Sequence, residues 1–188
     1  MGLEVHIGIL RLITRKLSLG LQGLACLALA TGCYSTADSV EAGRLSAGAK
    51  CITPDTAENL ADQVLQLVNL ARAEEALQPV VVNEKLQQVA EDYSCRMVEE
   101  GFFGHEDPVT GESAGERVIN GKYLFHDMGE NLAAGQSTAA EVMKAWMDSP
   151  SHRAVILDPR WKEVGIAVRG GGEYSTYWVQ EFGDPFRY

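Results

Sequence analysis

The chain of 188 residues carries 26 acidic and 16 basic side chains, a formal net charge of −10, and 46% of its residues are hydrophobic. This length accommodates one domain together with targeting sequence, and the composition is that of a globular protein. An acidic surface repels phosphate backbones and anionic headgroups, so we expect no nucleic-acid partner.

The first 32 residues have the pattern of an export signal. Arg11, Arg15 and Lys16 precede an apolar run over residues 17–30. This run is shorter than the roughly 20 residues that a membrane-spanning helix needs, and it suits the apolar region of a signal peptide. The following Ala30-Thr31-Gly32-Cys33 resembles a bacterial lipobox, although leucine is commoner than Ala30 at its position. We therefore predict a lipoprotein signal over residues 1–32.

Cys33 then becomes the lipidated first residue of a protein that faces the periplasm or the exterior. Cleavage near Ala30, which would give a secreted protein, is the alternative. The remaining chain has 13 basic and 25 acidic side chains, so attachment to a membrane must come from lipid and not from charge. Residues 33–54 show no periodicity and are predicted to be a flexible tether, followed by a domain over residues 55–188.

Two helices are predicted at the start of the domain. Asp55 is a candidate N-cap for a first helix, whose apolar residues repeat at helical spacing: Leu60, Val64, Leu67, Val68 and Ala71. Residues 80–82 form an extended link. Asn83 caps a second helix that ends at Gly101, with one apolar face made by Leu86, Val89, Ala90, Tyr93 and Met97.

The second half of the domain mixes helices and strands. A loop over residues 102–111, a short helix over 113–120 and a strand over 122–125 are predicted, followed by a helix over 138–147 that Pro150 ends. Residues 163–169 and 174–182 alternate as a β-hairpin. Helices interspersed with strands indicate an α+β domain.

Two histidines and one glutamate carry the chemistry of the chain. Residues 129–135, Gly-Glu-Asn-Leu-Ala-Ala-Gly, contain Glu130, and His152 follows the third long helix. We interpret Glu130 and His152 as the two ends of one short helical segment, and His105 lies in a loop upstream of it. Such a set suits a divalent metal or acid–base chemistry, provided that the fold brings the three residues together.

Six motifs, in order over about residues 58 to 183, resemble the CAP superfamily of cysteine-rich secretory proteins, antigen 5 and pathogenesis-related proteins, and its short bacterial branch in particular. They are Asn69-x-x-Arg72, Phe103-Gly-His105, Gly129-Glu130-Asn131-Leu132-Ala133, Trp146-Met147-x-Ser149-Pro150-x-His152-Arg153, Val164-Gly165-Ile166-Ala167 and Tyr177-Trp178-x-Gln180-x-Phe182. The resemblance implies a three-layer α-β-α sandwich with a central cleft.

The resemblance also implies a cleft in which two histidines and two acidic residues can hold a divalent cation. His105, Glu130 and His152 fall on matching positions. The family's fourth acid does not transfer, because Ser149 stands in its place, so Asp148 and Glu141 are the candidate substitutes. Three ligands and a water would still suit zinc.

Three functions stay open from the sequence. The first is a monomeric binding module for an unknown ligand or protein at the cell envelope. The second is a hydrolase of peptides or envelope polymers, with Glu130 as the catalytic base and the histidines as metal ligands. The third is a carrier of apolar ligands, since some proteins of this fold are associated with sterols or fatty acids.

A disulfide between Cys51 and Cys95 is predicted. Cys26 leaves with the signal and Cys33 takes the lipid, so two thiols remain in an oxidising compartment. On a helical wheel, Cys95 lies about 180° from Leu86 and points away from the core face. Two free thiols are the alternative.

Overall fold

The fold, seen in a computed structural model that describes residues 48–186, is a four-stranded sheet with helices on both faces. The elements in chain order are α1 (Ala57–Glu74), β1 (Val81–Val82), α2 (Glu84–Glu100), α3 (Ala114–Asn120), β2 (Phe125–Ala134), α4 (Ala139–Asp148), α5 (Pro150–Ile156), β3 (Glu163–Gly171) and β4 (Ser175–Pro185). The strands lie in the order β1-β3-β4-β2. β1 runs parallel to β3, and the other neighbours are antiparallel.

Alternating side chains of the strands supply two separate apolar layers. On one face, α1, α4 and α5 cover the strands through side chains such as Val64, Val142, Trp146, Trp178 and Phe182. On the other face, α2 packs on the sheet through Ala90, Tyr93, Met97, Leu132 and Val179. The predicted α-β-α sandwich is thereby confirmed. None of the helices between residues 48 and 186 is long and apolar enough to cross a membrane.

Both ends of α2 follow the sequence prediction. The Asn83 side chain accepts hydrogen bonds from the backbone N–H groups of Lys85 and Leu86, which have no partner inside the helix. At the other end, Gly101 adopts a left-handed conformation with φ of 65°, and its N–H donates to Met97 O. A residue with a Cβ would be strained there.

The stretch around Glu130 is not helical, which corrects our prediction. Residues 125–134 form β2, and Glu130 stands opposite Glu181 of β4 in the antiparallel register. The segment Glu-Asn-Leu-Ala-Ala lacks the β-branched residues typical of strands, so the pairing with β4 decides its conformation. Pro150 ends one helix as predicted and also begins α5, at the first position where a missing N–H costs nothing.

The predicted disulfide is confirmed. Cys51 and Cys95 are bonded, with their Cα atoms 5.2 Å apart. The residues around Cys51, which we predicted to belong to the tether, are part of the folded unit. Ile52 forms an antiparallel bridge with Gly170 at the end of β3, through backbone bonds of 2.9 and 2.7 Å. The predicted signal, the lipid site Cys33 and the tether up to residue 47 lie outside the described residues.

Candidate functional site

Glu130 is the centre of a charged cluster on β2. Its side chain is 3% exposed, and each of its carboxylate oxygens has its own partner. Oε1 lies 2.7 Å from His105 Nδ1, and Oε2 lies 2.6 Å from a terminal nitrogen of Arg117. Because a carboxylate only accepts hydrogen bonds, the proton of a neutral His105 ring belongs on Nδ1. Glu130 therefore fixes both the position and the tautomer of His105.

Arg117 holds this carboxylate from α3. A capping box between Ser113 and Glu116 begins α3 one turn before Arg117. The guanidinium lies 3.3 Å from the centre of the Tyr93 ring, and it also donates to the backbone oxygens of His105 and Glu112, both at 3.0 Å. Arg117 thus joins the loop that carries His105 to the strand that carries Glu130.

The loop has a second tie through Tyr93 on α2. The Tyr93 hydroxyl donates to Gly104 O at 2.6 Å, next to His105. Burial is the main cause that raises the pKa of Tyr93, so its hydroxyl stays a donor. The backbone on which His105 sits is therefore held from two helices.

The two histidines have opposite pKa shifts. The hydrogen bond with Glu130 raises the pKa of His105 above its ordinary value of 6.5, although partial burial opposes that change. Burial lowers the pKa of His152, and repulsion from His105 adds to the effect. The His105 side chain remains 60% exposed, while His152 is half-buried. The site thus offers one imidazole that favours the protonated form and one that favours the neutral form.

A cleft of about 390 Å³ opens beside His152. Apolar and aromatic groups line most of it, including Phe103, Leu132, Trp146 and Tyr174. Phe103 and Tyr174 are each about 40% exposed, at 42% and 37%, and their rings meet edge-on at 5.9 Å. Such a surface suits a ligand that buries an apolar group beside the imidazole.

Glu181 is a further acid that the sequence analysis missed. It is wholly buried on β4, directly across from Glu130. Burial raises its pKa well above the ordinary value, and the negative charge of Glu130 acts in the same direction. Alternation along β4 places Glu181 on the face opposite to Gln180, but only the pairing of β2 with β4 brings it to Glu130. Arg117 was also missed, because the predicted helix over residues 113–120 does not show which of its side chains meets a carboxylate.

The structure gives other roles to the two candidates for a fourth cleft acid. Glu141 accepts hydrogen bonds from the backbone of Ser137 and Thr138, and so caps α4. Asp148 is 66% exposed and pairs with Lys144 one turn away on the same helix. Both acids therefore have partners within α4 or at its N-terminus.

The side chains of the site are arranged around one another and not around a metal position. Within residues 48–186, no group of three or more His, Cys, Asp or Glu side chains is arranged to hold an ion. Both oxygens of Glu130 are already engaged. The zinc site with His105, His152 and Glu130 as ligands therefore stays a prediction, which calorimetry on the wild type and a His105→Ala/His152→Ala variant would test.

Comparison with known proteins agrees with this architecture. The uncharacterized protein YkwD of Bacillus subtilis (strain 168) is 33% identical over 129 residues, which cover 69% of this chain and 49% of YkwD. The uncharacterized membrane protein YlbC of the same organism is 27% identical over 120 residues, 64% of this chain and 33% of YlbC. The chain thus spans about half or less of the length of these relatives.

Two solved structures are similar in fold. An outer surface protein from Borrelia burgdorferi superposes with a TM-score of 0.65 at 21% identity, covering 71% of this chain and 97% of the Borrelia protein. An extracellular protein with an SCP domain from Bacillus anthracis gives a TM-score of 0.62 at 27% identity, covering 70% of this chain and 44% of that protein.

An α-β-α sandwich in which one imidazole lines a cleft and a buried glutamate holds a second imidazole defines a class of small α+β cleft domains. Residues 65–182 match the family model described as CAP, the cysteine-rich secretory protein family. The chain belongs to the CAP family, and the resemblance seen in the six motifs is confirmed.

Proposed function

We propose that this protein is an exported binding module of the cell envelope, anchored through Cys33, whose cleft holds a ligand between His105 and His152. Support for export comes from relatives described as an outer surface protein and an extracellular protein. The disulfide between Cys51 and Cys95 also suits an oxidising compartment outside the cytosol.

The surroundings of Glu130 are the reason why we favour ligand binding over hydrolysis. A general base needs an oxygen within reach of the water or substrate proton that it removes. Glu130 is 3% exposed, and its two oxygens are held by Arg117 and His105. This geometry favours a role in which Glu130 orients His105 over the role of catalytic base.

The chemistry of the cleft limits the ligand. His105, whose pKa is raised by Glu130, is suited to donate to an acceptor such as a carbonyl or carboxylate. Phe103 and Tyr174 are partly exposed in the cleft beside His152 and offer a surface for an apolar group. The ligand class that matches both is a molecule with an acceptor group next to an apolar group.

A second candidate is an acid–base hydrolase in which His105, and not Glu130, removes the proton. The specific observation is the 2.7 Å contact between Glu130 Oε1 and His105 Nδ1, since catalytic histidines are commonly oriented by a buried carboxylate in this way. In this alternative, Glu130 remains a positioning residue.

The test compares binding and turnover in three proteins. Peptides and fragments of envelope polymers are screened by calorimetry and by product analysis against the wild type, His105→Ala and His126→Ala. His126 is the matched control, because it is an exposed histidine that stacks on Phe186 with 4.0 Å between ring centres, rather than bonding to Glu130.

We expect binding without turnover, with affinity reduced about tenfold or more in His105→Ala. His126→Ala should bind like the wild type. Turnover by the wild type that is lost in His105→Ala would instead establish the hydrolase. Equal binding by all three proteins would refute the proposed role of the cleft.

A further inference from the structure

The outer edge of β3 has a gap in its backbone pairing. β1 covers only the start of this edge, at Glu163 and Val164. Beyond β1, the outward-facing backbone groups fall at every second residue, which gives Ile166, Val168 and Gly170. Two of these three positions are paired, and the position between them is not.

The paired positions show how the chain closes this edge. At Ile166, the N–H donates to Gln87 Oε1 at 3.0 Å and the carbonyl accepts from Gln87 Nε2 at 2.9 Å. At Gly170, Ile52 exchanges two backbone hydrogen bonds. A side-chain amide and a short extended segment therefore each take the place of a neighbouring strand.

Val168 is the position left between them. Its carbonyl accepts from the Arg169 guanidinium at 3.0 Å, and its N–H has no protein partner in the part of the chain that the structure describes. Val168 is only 1% exposed. A buried N–H without a partner is costly, because it has lost its hydrogen bonds to water, so such a group is a place for a ligand or for water.

A cavity of about 300 Å³, which we name the β3-edge cavity, lies at this gap. Its lining includes Val168, Thr53, Ala61, Glu58, Glu91 and Arg169. A water molecule takes up about 30 Å³ in the liquid, so the space exceeds what one bridging water fills. The cavity lies at the edge of the sheet opposite to β2, and it shares no lining residue with the cleft beside His152.

The charges in the cavity select the ligand. Arg169 is 8% exposed and pairs with Glu91 at 3.0 Å, so its charge is compensated. Glu58 adds a second carboxylate to the lining and leaves one negative charge in excess. A cationic group is therefore favoured beside the Val168 peptide group.

We propose that the β3-edge cavity binds the amino-terminal residue of an extended peptide. Its carbonyl accepts from Val168 N–H, and its ammonium donates to Val168 O and faces the carboxylates of Glu58 and Glu91. This pairing repeats at Val168 the antiparallel bridge that Ile52 makes at Gly170. Because Gln87 and Ile52 block the edge on both sides, only one residue of the peptide enters the ladder.

The test uses L-alanyl-L-alanine amide as the probe and its N-acetylated form as the matched control without charge. Nuclear magnetic resonance of the exported, ¹⁵N-labelled protein follows the backbone amide of Val168 and the rings of His105 and His152. We expect a saturable shift at Val168 with a Kd on the order of 1 mM, typical of such a small ligand. Acetylation should weaken binding about two- to fivefold, as expected for loss of a partly exposed ion pair.

Two variants complete the test. Ala61→Phe should fill the cavity and abolish the shift at Val168. Glu58→Gln, an exposed and nearly isosteric change, should remove most of the preference for the free amino terminus, and it decides the matter if Ala61→Phe does not fold. Absence of a saturable shift at Val168, an equal response to the acetylated probe, or shifts confined to the two histidine rings would each overturn the proposal.

Discussion

Two buried arginines, Arg72 and Arg117, lie on opposite faces of the sheet and use the same side chain in different ways. Arg72 on α1 is fully buried and donates to the backbone oxygens of Gln78, Ile156 and Asp158 at 2.7 to 2.9 Å. Arg117 is 8% exposed and donates to a carboxylate as well as to backbone.

The partners of the two arginines indicate that Arg72 stabilises the fold and that Arg117 belongs to the functional site. Arg72 joins the end of α1 to the loop after α5, and its partners are fixed carbonyls that cannot titrate. Arg117 holds Glu130, which in turn holds an exposed imidazole. A buried cation whose partners are all backbone stabilises the fold, whereas one that ends on an ionisable pair can also set the state of a binding group.

The largest expected loss of stability is for replacement of Arg72. Arg72→Met removes the donor for four buried or partly buried carbonyls, so we expect the free energy of unfolding to fall by about 3 to 5 kcal/mol. Urea denaturation measures this loss. Arg153→Met is the control, because Arg153 is 47% exposed and pairs with Glu75, so it should cost no more than about 1 kcal/mol. Similar losses in the two variants would contradict the role given to Arg72.

Removal of the disulfide gives a second stability loss with which the loss in Arg72→Met can be compared. Cys51→Ala/Cys95→Ala opens a link between residues 44 apart, and we expect a loss of about 3 to 4 kcal/mol from the greater entropy of the unfolded chain. The same denaturation experiment measures it. An unchanged midpoint would show that the Ile52 bridge to Gly170 holds this segment without the bond.

Arg117→Met tests the other half of the comparison. It leaves the buried Glu130 carboxylate with His105 as its remaining ionic partner, and we expect a loss of about 2 to 3 kcal/mol together with weaker ligand binding. Calorimetry with the ligand found for the cleft measures the second effect. If stability falls while affinity stays unchanged, Arg117 is architectural like Arg72, and the distinction between the two arginines fails.

Among these variants, Glu130→Gln is expected to change stability least. Its main effect is expected on the pKa of His105. The wild-type His105 should titrate above 6.5, because its protonated ring is stabilised by Glu130, and His152 should titrate below 6.5. The stability from the His105–Glu130 pair is present below the unfolded pKa of 6.5 and is lost as the pH rises through the higher folded pKa.

In Glu130→Gln the His105 midpoint should move down, and this pH-dependent part of the stability should disappear. Resonances of the two imidazole rings, followed over pH, measure both midpoints. The His152 midpoint serves as an internal control, since burial is the first cause of its shift. A His105 midpoint that stays in place would refute the assignment.

The sequence predicts well what local chemistry decides. Asn83 and Gly101 bound α2 because each satisfies a helix end with its own side chain or conformation. The pairing of Cys51 with Cys95 follows from counting thiols and from the direction of one helical side chain. The three site residues His105, Glu130 and His152 were chosen for their chemistry and supported by the family resemblance, and the geometry adds the 2.7 Å contact between His105 and Glu130.

What the sequence did not predict depends on pairing between distant segments. Residues 129–134 are a strand because β4 lies beside them, although their composition of small and polar residues does not favour one. Glu181 meets Glu130 only through the same register. Arg117 is placed by the packing of α3 against α2, and no local pattern tells which side chain of α3 faces a carboxylate.

The contacts of Arg117 also indicate the order in which parts of the protein fold. The guanidinium joins α3, the loop after α2 and the central part of β2, and β2 is held in place by a strand about 50 residues further along the chain. Contacts of such sequence separation form slowly, after local helices have appeared. A nascent or partly refolded chain therefore has its helices before it has an oriented His105. We expect ligand-binding competence to be recovered only with the last kinetic phase of folding, when β2 docks on β4.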